Sequence, residues 1–130
     1  MSQKDQVALE LLIRELENAS GPDRELDKAI SLELGYKRKI HHVQDGPGKQ
    51  VVQRVLWIVP SSEDTGRLPF FTASIQDAYE LAQSIMASNI GAVSWDESMG
   101  SAKLNSDPSV QAATPALALC IAALKAKIDK

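Results

Sequence analysis

The apolar positions near the start of the chain recur at helical spacing and predict two helices. In residues 5–18, apolar side chains follow one another at intervals of three and four from Ala8 onward, which is typical of an amphipathic helix. This helix is expected to end by Gly21, and Pro22 is expected to open a second helix that Gly35 terminates. The chain is therefore expected to begin with two helices joined by a tight corner.

After the second helix, the pattern changes to short runs rich in valine, isoleucine and aromatic residues. Residues 36–44 and 50–59 are two such runs, and they flank a turn cluster at 45–48, so they predict a β-hairpin. The second run becomes continuously apolar toward its end. This feature predicts a central strand that is covered on both faces there.

A third and a fourth helix are predicted on either side of a second hairpin. Ser74 is expected to cap the third helix, with the acidic Asp77 at its third helical position. The second hairpin is expected to pair residues 92–97 with residues 101–105. Thr114 then precedes the final helix as its N-cap.

The final helix carries the clearest apolar line of the sequence. Pro115 occupies its first position, where the missing N–H costs nothing, and Leu117, Ile121 and Leu124 follow at helical spacing. This stripe is expected to pack on the sheet, and an exposed apolar face of a helix is a possible contact for a homodimer. Cys120 lies on the apolar side and is interpreted as a small buried hydrophobic residue.

The order of the elements, helix, helix, strand, strand, helix, strand, strand, helix, predicts an α+β fold with a mostly antiparallel sheet. A length of 130 residues with 44% hydrophobic and 24% charged side chains predicts a single domain over residues 1–130. No basic-then-apolar leader is present and no apolar run approaches about 18 residues, so export and membrane insertion are not expected. We expect a cytoplasmic protein.

Positive charge is concentrated in one segment. The net charge is -3, yet residues 36–54 carry five basic side chains and one acidic side chain. An anionic partner is expected to bind there, on the following residues: Lys37, Arg38, Lys39, His42, Arg54 and Trp57. The alternative is that these cations only keep an exposed strand soluble.

The remaining candidate chemistry has an ordinary structural interpretation. His41 and His42 are adjacent in a predicted strand and point to opposite faces, so they are not expected to bind one metal ion. Asp96 and Glu97 are interpreted as solvated turn residues, with no identifiable partner base. Trp95, like the tryptophan of the basic segment, is expected to be partly buried in the core or to line a pocket. The sequence predicts no catalytic residues, no metal site and no cofactor.

Four segments carry a resemblance to a known family, and they are 21–27 (GPDRELD), 71–78 (FTASIQDA), 92–95 (AVSW) and 113–120 (ATPALALC). They resemble the phage ABA-sandwich domain, a family encoded in bacteriophages and prophages. The resemblance implies a three-layer α/β/α sandwich around a mostly antiparallel sheet of about four strands. It supplies no catalytic residues to transfer.

The chain departs from the pattern of that family in two places, the basic hairpin at 36–54 and the loop at 61–67. A function specific to this chain is expected in one of them. The leading hypothesis is a noncatalytic phage accessory protein that binds a host protein in the host bacterial cytosol and blocks an antiviral defence. The alternatives are a sponge that sequesters an anionic nucleotide signal, and an enzyme that modifies nucleotides through Asp96, Glu97 or a histidine. Nucleic acid is not the expected partner.

Overall fold

The computed structural model describes residues 2–44, 46–60 and 64–129 and has an α+β architecture. Its elements are α1 (Gln3–Asn18), α2 (Arg24–Glu33), β1 (Lys37–Gln44), β2 (Val51–Ile58), β3 (Thr65–Gly66), α3 (Ile75–Ile85), β4 (Gly91–Trp95), β5 (Gly100–Leu104), β6 (Val110–Ala112) and α4 (Pro115–Asp129). The strands form two antiparallel sheets, with the orders β1-β2-β3 and β4-β5-β6. The α+β class is confirmed. A three-layer sandwich around one sheet of about four strands is not confirmed.

The chain has two compact units. The first consists of residues 1–30 and 69–130 and contains α1, α3, α4 and the sheet of β4, β5 and β6. The second consists of residues 31–68 and contains the sheet of β1, β2 and β3. The single domain over residues 1–130 stays a prediction. No helix of the described residues combines the length and the apolar character needed to cross a membrane.

The helix α4 forms the centre of the first unit. Leu117, Ile121 and Leu124 are fully buried, as the sequence predicts, and α4 packs against the strand β5. Burial extends beyond that stripe, because alanines on the other sides of α4 are also buried and the helix contacts α1, α3 and β6. A helix that is apolar all round belongs in a core. The helix α4 therefore offers no exposed apolar face to a second copy.

The predicted caps of two helices are confirmed, and the predicted start of α2 is wrong by two residues. The hydroxyl of Ser74 accepts a hydrogen bond from the Asp77 N–H at 3.1 Å, and Thr114 accepts one from the Leu117 N–H at 3.2 Å. The second helix begins at Arg24 instead of Pro22. The reason is that Asp23 acts as its N-cap, with its carboxylate accepting a hydrogen bond from the Glu25 N–H at 2.9 Å.

Gly100 of β5 lies against the backbone at the start of α4. A Cβ atom at this position would overlap the backbone of Thr114 and Pro115. We expect Gly100→Ala to lower the free energy of unfolding by about 1–3 kcal/mol, because backbone must shift to admit the methyl group. Gly21→Ala is the control, since a Cβ at Gly21 meets nothing within 4 Å. Urea denaturation of both variants tests the expectation, and equal stability would contradict it.

Candidate functional site

The cations of the basic segment lie on the hairpin formed by β1 and β2. The two strands pair antiparallel from Lys37 opposite Ile58 to Gln44 opposite Val51. Gly48 has a φ of 78° in the connecting turn, and the Lys49 N–H donates to the Gly46 carbonyl oxygen at 3.1 Å. Nearly every residue of β1 and the first five residues of β2 are exposed. The predicted hairpin is confirmed; Asp45 of its turn lies outside the described residues.

The register of the hairpin assigns each side chain to a face, because directly paired residues share a face and neighbours along a strand alternate. Arg54 is paired with His41, so these two residues share a face with Lys37 and Lys39. Directly opposed Cβ atoms in such a ladder are about 4.5–5.5 Å apart, and diagonal neighbours are about 7–8 Å apart. Three permanent cations and a histidine therefore form one continuous stripe.

The other face of the hairpin carries the remaining predicted residues. Arg38 is directly opposite Trp57, and His42 is opposite Gln53 on the same face. His42 lies four residues from Arg38 along β1, a distance of about 13 Å in an extended strand. Trp57 therefore has Arg38 beside it, while His42 is remote and Arg54 is on the opposite face. The six predicted residues divide three and three, and the adjacent histidines point to opposite faces as expected.

The strand β2 lies between β1 and β3, so its predicted central position is confirmed. Its apolar end is less covered than the sequence predicts, since Leu56, Trp57 and Ile58 are half-buried and not buried. The exposed part of the hairpin also carries Ile40 and Val55, which are opposite each other and 47% and 46% exposed. This pair adds apolar contact area to the face that carries Arg38 and Trp57.

Asp96, a candidate for acid-base chemistry, forms the turn between β4 and β5. Its carboxylate accepts hydrogen bonds from the Ser98 N–H at 2.7 Å, the Met99 N–H at 2.9 Å and the Ser98 hydroxyl at 3.0 Å. The backbone donors hold the pKa of the exposed Asp96 carboxyl below its ordinary value of 3.8. The carboxylate is thus charged at neutral pH and committed to the turn.

A buried polar cluster that the sequence analysis missed joins the start of α2 to the segment before α3. One carboxylate oxygen of Asp27, which is 2% exposed, accepts hydrogen bonds from the Thr72 N–H at 2.8 Å and the Thr72 hydroxyl at 2.7 Å. The Thr72 hydroxyl oxygen also accepts one from the Asp23 N–H at 2.9 Å. These contacts connect the segment 21–27 with the segment 71–78.

Arg24 completes this cluster at its solvent side. Its guanidinium donates to the second Asp27 oxygen at 3.0 Å and to the Pro69 carbonyl at 2.7 Å, and it stacks 3.9 Å above the centre of the Phe70 ring. The acidic partner of this ion pair is buried, whereas the Arg24 side chain is 47% exposed. Cys120 is buried as expected. Its burial, and secondarily the charge of Asp27, raise the pKa of the thiol far above its usual range.

Two sequence candidates remain, Trp95 and the loop at 61–67. Trp95 is 67% exposed, so the expectation that it is partly buried in the core is wrong, and the alternative that it lines a pocket is confirmed. Residues 61–63 of the loop at 61–67 lie outside the described residues. Among the residues that the structure does describe, no three His, Cys, Asp or Glu side chains are grouped closely enough to hold a metal ion.

Comparison with known proteins finds no matching family model, curated protein or solved structure.

Proposed function

We propose that this chain is a noncatalytic binding protein whose cationic hairpin, β1 with β2, occupies an acidic surface of a host protein and thereby blocks an antiviral defence. The observation that carries the proposal is the distribution of charge. Lys37, Lys39 and Arg54 lie on one face of an exposed two-stranded ribbon, and Arg38 lies on the other. Such a local field attracts an anionic partner, while the acidic remainder of the chain repels nonspecific polyanions.

The shape of the hairpin favours a macromolecular partner over a small ligand. Small-molecule sites are concave and converge a few polar groups on one ligand. The six predicted residues instead divide between two faces, so one small anion cannot contact all of them in a single chain. A protein surface with acidic side chains can contact the whole length of the stripe together with Val52, which is 51% exposed on the same face.

The phage origin and the site of action are part of the same proposal. They are supported by the resemblance of four segments to the phage ABA-sandwich domain, whose three-layer sandwich stays a prediction for this chain. A protein of this kind acts in the host bacterial cytosol by occupying its target. Homodimerisation is not required for that mode of action and also stays a prediction.

Capture from bacterial lysate tests the proposal without presuming the identity of the partner. The wild-type chain is expected to retain a host protein that the variant Lys37→Glu, Arg38→Glu, Lys39→Glu does not retain. Reversal of three charges removes the attraction and introduces repulsion, so binding is expected to weaken at least about 100-fold. The hairpin is exposed, and the fold of the variant is expected to be intact, which thermal melting verifies.

A matched control separates the position of the charges from their number. Lys4→Glu, Arg14→Glu, Lys125→Glu makes the same change in net charge on exposed positions of α1 and α4. This control is expected to retain the partner. Equal retention by the folded hairpin variant would refute the role of the hairpin and move the search to the loop at 61–67.

A nucleotide sponge is the second candidate, and the pairing of Arg38 with Trp57 favours it. Trp57 is half-buried, and a cation beside the accessible part of an aromatic ring is a stacking site for a nucleobase next to its phosphate. Heat extraction of the purified chain would then release an ultraviolet-absorbing ligand, and Trp57→Ala would release less. An enzyme acting through Asp96 has weaker support, because that carboxylate is engaged in a turn.

A further inference from the structure

The strand β4 is an open edge of its sheet. In the order β4-β5-β6 it pairs only with β5. The Asp96 N–H donates to the Met99 carbonyl at one end of the ladder, and the Asn105 N–H donates to the Ile90 carbonyl at the other end. These two bonds show which of the paired residues in β4 and β5 are hydrogen-bonded to each other. Even-numbered residues of β4 therefore bond to β5, and the odd-numbered ones direct their N–H and C=O groups away from it. Gly91, Val93 and Trp95 present these groups at the edge.

A cleft of about 320 Å³ lies along this edge, between β4 and α3. Tyr79 and Ala82 of α3 line one side, Ala92 and Val93 of β4 line the other, and Leu119 of α4 forms part of the floor. Ile75 connects this cleft to a second depression of about 260 Å³, which contains Trp95 and the turn after β4. The two depressions together form a largely apolar groove that follows the strand.

The charged groups at the groove are mainly acidic. Asp96 and Glu97 line the second depression, and Glu80 accepts a hydrogen bond at 3.2 Å from Gln76, whose side chain lines the first. Lys103 is exposed between the buried Ala102 and Leu104 of β5, so it lies on the face of the sheet that is turned away from the core. A basic ligand is therefore favoured at the end of the groove that Asp96 and Glu97 form.

We propose that an extended segment of a partner protein, with a basic side chain near one end, binds in this groove as an additional strand on β4. Backbone N–H and C=O groups at the spacing of a strand are matched by another strand and not by a helix or a compact small molecule. An apolar side chain of the segment contacts Val93 and Leu119, and its basic side chain contacts Glu97. The site is independent of the cationic hairpin and goes beyond the proposed function.

The sequence of β4 lacks the features that usually protect an exposed edge strand from pairing with another chain. Exposed edge strands usually carry lysine, proline or a bulge, which prevent pairing with another chain. The strand β4 contains no lysine and no proline, because its sequence is Gly91-Ala92-Val93-Ser94-Trp95. The tryptophan at its end is 67% exposed. Tyr79 across the cleft is also 51% exposed. Aromatic residues with this exposure are typical of binding surfaces.

Selection from a random library of peptides about 10 residues long, roughly twice the length of a typical strand, tests the proposal. The wild-type chain is expected to enrich peptides with alternating apolar residues and a lysine or arginine near one end. Val93→Pro removes an N–H that the ladder of β4 and β5 does not use, so the variant is expected to fold. Its affinity for the enriched peptides is expected to fall about tenfold or more, since a backbone hydrogen bond and the matched edge are lost.

Two further measurements keep the test decisive. Glu97→Lys is expected to lower the affinity for the enriched peptides several-fold. Glu15→Lys, on an exposed position of α1, is expected to leave that affinity unchanged. Amide exchange in the wild-type chain is expected to slow on peptide binding at Gly91, Val93 and Trp95, because these N–H groups become hydrogen-bonded.

Several results would overturn the proposal. They are the absence of any enriched peptide, enrichment without basic residues, unchanged affinity for folded Val93→Pro, and unchanged amide exchange along β4. Sedimentation at micromolar concentration tests whether a second copy of this chain occupies the groove instead. A dimer of the wild-type chain that Val93→Pro abolishes would assign the groove to that second copy. Charge reversal of Lys37, Arg38 and Lys39 is expected to leave peptide binding intact, so this test is separate from the test of the hairpin.

Discussion

Ile121→Asp is expected to abolish the cooperative thermal unfolding of the chain. Ile121 has no exposed surface and lies in α4, which is buried on almost all sides. An uncompensated carboxylate in such surroundings costs several kcal/mol, in addition to the apolar contacts that are lost. The total stability of a domain is about 5–15 kcal/mol, so this single change removes most or all of it.

Graded variants at the same helix establish the cause. Ile121→Val removes one methyl group and is expected to cost about 0.5–1.5 kcal/mol. Lys125→Gln changes an exposed side chain one turn further along and is expected to cost less than about 0.5 kcal/mol. Circular dichroism during heating measures all three. Melting of Ile121→Asp at the wild-type temperature would show that α4 is not packed in a core.

Asp27→Ala is expected to destabilise the chain by about 3–5 kcal/mol, because it breaks a buried charged cluster by removing one partner. The Thr72 N–H and hydroxyl lose their acceptor in a position with no exposed surface. Arg24 loses the ion pair that holds its guanidinium over Phe70. The corresponding fall in melting temperature is about 10–20 °C.

Urea denaturation of two companion variants separates the cluster from general effects on α2. Asp27→Asn keeps an acceptor of the same shape, so its free energy of unfolding is expected to lie between those of Asp27→Ala and the wild type. Glu25→Ala removes an exposed carboxylate two residues earlier on the same helix and is expected to change stability by less than about 0.5 kcal/mol. Similar stability of Asp27→Ala and Glu25→Ala would refute the structural role of the cluster.

The helices of this chain follow from the sequence because their signals are local. Ser74 and Thr114 are followed by apolar residues at helical spacing, and both act as N-caps. The predicted start of α2 at Pro22 is wrong because the sequence offers two neighbouring signals for the start of a helix, Pro22 and Asp23. The proline suits a first helical position, but the side chain of Asp23 reaches the Glu25 N–H and sets the start of α2.

The division of the strands into two sheets does not follow from the sequence. The strands β3 and β6 have two and three residues, which is too short to show an alternation of apolar and polar side chains. The same limit applies to α4, where small alanines outside the apolar line carry no periodic signal although they are buried. Burial all round is a property of the packed core and not of the helix alone.

The hairpin residues could be predicted as a group, but not their faces. A shift of one residue in the register moves every side chain of a strand to the other face, and the register is fixed by the pairing with β2. The contact between Asp27 and Thr72 joins residues 45 positions apart. Its only sequence signal is an acidic residue beside the apolar line of α2. The groove at β4 depends on the strand order, which local patterns do not encode.

The affinity of the chain for the captured host protein, measured at about 50 and about 150 mM salt, tests the central claim most directly. The wild type is expected to bind more weakly at the higher salt concentration. Lys37→Glu, Lys39→Glu, Arg54→Glu, which reverses the stripe on one face, is expected to lose binding at both. An affinity that does not depend on salt, together with wild-type binding by this folded variant, would contradict the proposal that the cationic hairpin recognises the partner.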